Sequence, residues 1–308
     1  MPVLQLIAPS GNPHDRNAVA RGVHYFTRQG WRVTGQACAL RQMQRFAGTD
    51  EERLHEINSL TRFINPTEEL KSKRPDLVMA LRGGYGLSRL LDRIDYAEIA
   101  KAKLCFMGHS DFTAFNLAYL AQAGMPSYNG PMMSYDFGAD TPSKFMLSHF
   151  WNLLNHGEDT ISVKIAQPYT FNVNKTLWGG NLTMINQLIG TPYLPNIEGG
   201  ILFLEDINEH PYRIERNLYQ LRDAGILEQQ SAILLGQFNG FQLYDSDAGY
   251  DFGAMVEHFR SRCDVPILTG LPYGHVREKA TLPVGQKAQL RVQGEAGFEL
   301  VVRAIACV

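Results

Sequence analysis

The run Leu104-Cys105-Phe106-Met107-Gly108-His109-Ser110-Asp111 constrains this chain more than any other stretch. Four apolar residues read as a short buried strand. A glycine follows, then a serine two positions on, then Phe112 to Ala123, which is helical by composition. The spacing predicts a strand, a tight turn and a helix, with Ser110 at the apex. Such a turn lifts a hydroxyl out of a sheet. It also sets that hydroxyl at a helix N-terminus, where free N–H groups can meet developing negative charge. The motif is Gly-x-Ser-Asp, and Phe112 stands where a nucleophile elbow has its second glycine. On this stretch alone Ser110 serves equally well as a helix cap or as a nucleophile.

The chain before this turn alternates short apolar runs with helical patterns. Leu4 to Ala8 predicts a strand, Asp15 to Gln29 a helix with Gly30 at C′, and Trp31 to Thr34 a second strand. Thr49 and Glu52 fit a capping box that opens a helix to about Phe63. Leu77 to Leu81 is a strand, followed by Arg82-Gly83-Gly84-Tyr85-Gly86 and a short helix over Leu87 to Arg93. This order implies an α/β layer around a mostly parallel sheet. In such sheets ligands collect at strand C-termini, so Gly83-Gly84 and Ser110 are expected at one crevice.

From Asn155 the texture changes. His156-Gly157-Glu158-Asp159 and Gln167-Pro168 read as linker. Short strands follow: Ile201 to Leu204, ending at Glu205-Asp206; Ser231 to Gly236; and a hairpin of Gln289 to Val292 with Phe298 to Val302. Pro211 suits the first position of a helix that runs to Asp223.

At 308 residues the chain has room for two modest domains or one large one. A formal net charge of -2, with no basic run, argues against a nucleic-acid partner. Cys38, Cys105, Cys263 and Cys307 are far apart and form no Cys-x-x-Cys pair. Neither a zinc site nor a disulfide framework is expected, and thiols in a reducing compartment account for them. Pro9 interrupts the first apolar run, so the expectation is no signal peptide, no membrane span and a cytoplasmic protein.

A nucleophilic serine needs a base, and the base needs a third group to fix its tautomer. Among nine histidines, His275 sits in the rigid Leu271-Pro272-Tyr273-Gly274-His275 loop just past the strand Pro266 to Leu268. His109 adjoins the serine but points away from it, which makes it a poor base. Glu205 ends an apolar strand, where a carboxylate is costly without a partner. Asp206, Glu209 and His210 are close by. A metal site from this group is conceivable, although no helical histidine pair has metal spacing.

Arg82-Gly83-Gly84-Tyr85-Gly86, Gly108-His109-Ser110-Asp111, Trp178-Gly179-Gly180-Asn181-Leu182, Phe203-Leu204-Glu205-Asp206 and Pro272-Tyr273-Gly274-His275 occur in this order with wide spacing. Together they resemble the L,D-carboxypeptidases of the LdcA and MccF type, serine peptidases of murein recycling. The resemblance runs from Leu4 to beyond Gly285. It implies an N-terminal α/β sandwich with a mostly parallel sheet, flavodoxin-like or glutamine-amidotransferase-like, over residues 1–160, and a C-terminal β-rich α/β domain over 161–308. It implies Ser110 as nucleophile, His275 as base and Glu205 as the acid that orients it. The N–H groups of Gly84 and Asp111 would form the oxyanion hole. Arg82, Tyr85, Trp178 and Asn181 would contact substrate, and Arg82, Arg213 and Arg277 are candidates for its carboxylate. No metal or organic cofactor is implied. The implied substrate is a cytoplasmic murein tetrapeptide that loses its terminal D-alanine, and the implied assembly is a homodimer. His109 departs from the family, where an aromatic such as tyrosine is more usual, and the departure is expected to leave the chemistry unaffected. Two rival expectations are a self-immunity peptidase of the MccF type, where Trp178 serves equally well as a stacking partner for a nucleotide base or as a structural tryptophan beside its glycine pair, and a non-enzymatic binder of murein fragments.

Overall fold

The computed structural model describes residues 1–306, and Cys307 lies outside them. The first half winds around a sheet whose strands lie parallel in the order β5-β4-β3-β1-β2. These are β1 (Val3–Ile7), β2 (Arg32–Thr34), β3 (Leu77–Ala80), β4 (Phe106–Met107) and β5 (Ser127–Asn129). β1 and β3 are buried at every position, as expected where helices cover both faces of a parallel sheet. The helix Arg16–Arg28 starts where the Asp15 carboxylate accepts the Asn17 N–H. Asp50–Asn58 opens on the expected capping box between Thr49 and Glu52. Two expected elements are shorter than the sequence implied. The helix expected to reach Phe63 ends at Asn58 and continues as a 3₁₀ turn, Ser59–Phe63. The strand expected over Leu104 to Met107 narrows to β4.

The second half builds a seven-stranded sheet from β6 (Glu158–Val163), β7 (Thr170–Asn181), β8 (Ile201–Ile207), β9 (Ala232–Asn239) and β10 (Ile267–Thr269), together with two later strands. After β11 (Leu282–Val284) come β12 (Gln286–Gln293) and β13 (Phe298–Arg303), which form the expected hairpin with Leu290 opposite Leu300. The sheet order is β10-β9-β8-β7-β12-β13-β6, parallel from β7 to β10 and antiparallel beyond. Glu158 and Asp159, read as linker, open β6 instead. β11 leaves this half and pairs antiparallel with β5, closing the edge of the first sheet. Pro283 within it is tolerated because an edge strand has a free side.

Cys38 and Cys263 are free thiols, as expected. Cys105 is disulfide-bonded, so the expectation of unpaired cysteines fails there. No helix of the described residues is long and apolar enough to cross a membrane.

Candidate active site

β4 ends at Met107, and the chain turns so tightly that Ser110 takes φ 63°. A non-glycine residue in this region stores on the order of 1–3 kcal/mol of strain. The strain projects the serine from the strand end as the helix Thr113–Ala123 approaches. The turn after β3 closes on the same hydroxyl. A Cβ at Gly83 would lie 2.6 Å from Ser110 Cβ and 2.8 Å from its Oγ, so only glycine fits. Arg82, Gly83, Gly84, His109, Ser110 and His275 all line one cavity of about 310 Å³.

His275 reaches this cavity from the loop after β10. Its Nδ1 lies 2.7 Å from Glu205 Oε2. A carboxylate can only accept, so the imidazole carries its proton on Nδ1 and leaves Nε2 free to take another. Glu205 has no exposed surface, and Asn181 Nδ2 donates to its Oε1 at 3.2 Å. Burial opposes the Glu205 charge. The His275 charge and hydrogen bond outweigh that opposition and draw the carboxyl below its ordinary range. Asn239 Nδ2 donates to the His275 carbonyl at 3.0 Å, and the Tyr273 hydroxyl donates to Asn129 on β5. The histidine loop is therefore tied to both sheets.

The register of β8 shifts between Leu204 and Asp206, which separates the two neighbouring acids. Asp206 is taken up by the Thr183 N–H at 2.9 Å and hydroxyl at 2.8 Å, and only Glu205 bonds His275. Asp111, the residue after the serine, turns its side chain inward. Its Oδ2 accepts from Ser10 Oγ at 2.6 Å and from the Leu87 N–H at 3.0 Å.

Not every candidate reaches the cavity. Trp178 is a core residue whose Nε1 donates to Gln230 Oε1 at 2.9 Å, so it cannot stack on a ligand there. Asn181 is buried and supports Glu205 and Asp206 rather than lining the cavity. Tyr85 packs near Phe46 outside the lining. Arg213 and Arg277 are exposed and also lie outside it, which leaves Arg82. The conceivable metal set is dispersed: Glu205 holds His275, His210 pairs with Asp247, and Glu209 faces Arg213.

Sequence reasoning missed a buried cluster beside Ser110. Lys279 Nζ lies 2.9 Å from Asp136 Oδ1 and 3.0 Å from His109 Nε2, and all three side chains are buried. Burial, then the Lys279 charge, holds His109 down at about 4 against an ordinary 6.5. Burial alone would raise Asp136, but Lys279 outweighs it and holds the carboxyl at about 2. The folded His109 binds fewer protons than the unfolded one. Its contribution to stability is complete above pH 6.5 and is lost as the pH falls toward 4. The loss is on the order of 3 kcal/mol. The melting temperature should fall across that window in wild type and less steeply in His109→Phe. Parallel acid profiles would contradict this assignment.

Residues 4–130 match the family model described as the LD-carboxypeptidase N-terminal domain, and residues 175–290 match the LD-carboxypeptidase C-terminal domain. The crystal structure of muramoyltetrapeptide carboxypeptidase from Oxalobacter formigenes superposes with a TM-score of 0.88 at 42% identity, covering 98% of each chain. A Bacillus subtilis protein named a probable murein peptide carboxypeptidase is 28% identical over 92% of this chain and 87% of its own length. The microcin C7 self-immunity protein MccF of Escherichia coli is 26% identical over 88% of this chain and 85% of its own.

Proposed function

Because the chain belongs to the LD-carboxypeptidase family, we propose that it releases the terminal D-alanine of murein tetrapeptides, with Ser110, His275 and Glu205 as its catalytic triad. One observation carries the assignment. A strained serine and a histidine oriented by a buried carboxylate share one cavity.

His275 Nε2 takes the Ser110 proton, and the oxygen attacks the carbonyl carbon of the scissile amide. The oxyanion accepts from the Gly84 and Asp111 N–H groups, worth on the order of 3 kcal/mol per donor in other serine enzymes. His275 returns the proton to the departing D-alanine amine. Water, deprotonated by the same imidazole, then clears the acyl-enzyme. The nucleophile comes from residues 1–160 and the acid and base from 161–308, so the site is assembled across that division. The same reading makes the enzyme a cytoplasmic homodimer. A single monomeric mass in light scattering would remove the dimer.

Arg82 is the carboxylate anchor in this reading. It is half-buried on the cavity wall, donates to the Asn12 carbonyl at 2.9 Å, and has no acidic partner among the described residues. A substrate carboxylate would supply the missing counter-charge. Arg82→Gln should raise KM about 10- to 100-fold, the equivalent of one charged hydrogen bond of about 1.5–3 kcal/mol, with a smaller change in kcat. An unchanged KM for tetrapeptide would move the anchor elsewhere.

The rival substrate class is tested directly. The account expects kcat/KM for murein tetrapeptide to exceed that for an aminoacyl sulfamoyl adenosine. The reverse preference would make this a nucleotide-toxin peptidase with the same triad. The buried Trp178 supports the murein reading, since that ring is not free to stack.

A further inference from the structure

Lys279 lies four residues past His275 on the same loop, and its side chain has no exposed surface. Its ammonium meets Asp136 Oδ1 at 2.9 Å, His109 Nε2 at 3.0 Å and the face of Tyr135, 5.2 Å from the ring centroid. His109 immediately precedes Ser110. Asp136 and Tyr135 belong to the π-helical turn Met133–Phe137, a rare geometry that is frequent at functional sites. Asp136 is itself fixed by the Met132 N–H at 2.7 Å. One side chain thus joins the histidine loop, the serine turn and a third segment of the cavity wall.

Burying this ion pair is costly, and apolar residues of the same size would fill the space without that cost. The ammonium does something that an apolar residue cannot: it donates to His109. Asp136 Oδ2 lies 3.6 Å from His109 Nε2, beyond hydrogen-bond range, so Nε2 accepts from Lys279 and the ring proton sits on Nδ1. Held this way, the His109 ring stands edge-on to His275, with centroids 5.1 Å apart and an interplanar angle of 80°.

We propose that Lys279 is a positioning residue, which pairs Asp136 and grips His109 so that the Ser110 turn and the His275 loop keep their working separation. The proposal rests on Ser110 and His275 acting as the reacting pair. A displacement on the order of 1 Å at such a pair can cost 100-fold.

Fluorophosphonate labelling reads that pair without a peptide. Ser110 Oγ attacks phosphorus, fluoride leaves, and the hydroxyl proton passes to His275. Lys279→Met alone strands the Asp136 charge in the interior and should lower the melting temperature. Lys279→Met with Asp136→Asn removes both charges and should recover it. This double variant should nevertheless label Ser110 about 10- to 100-fold more slowly than wild type. Its kcat on tetrapeptide should drop in parallel, with KM changed less than about 2-fold. A merely structural pair predicts wild-type labelling once stability is recovered, and that result overturns the proposal. His109→Phe keeps the ion pair and cuts only its link to the serine turn. It should slow labelling similarly, and a wild-type rate in this variant overturns the proposal even if the double variant does not fold. Failure of wild type to label at Ser110 would instead reject the reading on which the proposal rests.

Discussion

Ser110→Ala is expected to fold as wild type does and to lose turnover by about a million-fold, the scale of nucleophile deletion in other serine peptidases. Alanine keeps the Cβ that packs against Gly83 and removes only the hydroxyl. The strain at φ 63° remains, because alanine is no freer than serine in that region. Binding and the oxyanion donors survive the substitution, so the residual rate should still exceed that of water alone. D-alanine release measured on purified variant with an unchanged melting temperature decides the matter. Retained turnover would remove Ser110 as nucleophile.

His275→Ala should fall nearly as far, because the imidazole both accepts and returns the proton. Members of a triad act as a unit, so Ser110→Ala combined with His275→Ala should be scarcely worse than either alone. Glu205→Gln keeps the shape of the side chain but loses the charge that holds His275 Nδ1–H. A loss on the order of 10,000-fold in kcat is expected, the scale for such a change in a related triad. Asp206→Asn is the control. Its carboxylate bonds Thr183 and Ile207 rather than His275, so any loss there should track stability and leave the pH profile unchanged. An inactive, folded Asp206→Asn beside a fully active Glu205→Gln would shift the acid by one residue.

Features with a local cause were readable from the chain. The Gly108-to-Ser110 turn, the Thr49 capping box, the Pro211 helix start and the β12–β13 hairpin each carry their signal within a few residues, and each is present. Glu205 was readable for a different reason: a carboxylate on an apolar strand needs a partner, and His275 supplies one, although β8 continues past it to Ile207 rather than ending there. What escaped depends on contacts remote in sequence. For Trp178 the sequence left a stacking and a structural role open, and the choice rests on Gln230, which accepts its indole N–H in the core, a pairing no local pattern announces. β11 is three residues with a proline, and only its partner β5 makes it a strand. β6 alternates exposed and buried positions, but one inward position is Asp159, held by His149, and that polar residue disguised the period. Nothing local in the chain marks Lys279 as buried. Its role depends on Asp136 and His109, which lie far from it in the chain.

The most direct test of the central claim is mass spectrometry of murein tetrapeptide incubated with the purified wild-type protein. The account expects conversion to the tripeptide with one equivalent of free D-alanine, unaffected by chelators and absent in Ser110→Ala. A tetrapeptide that stays intact, under conditions where Ser110 still reacts with a fluorophosphonate, would contradict it.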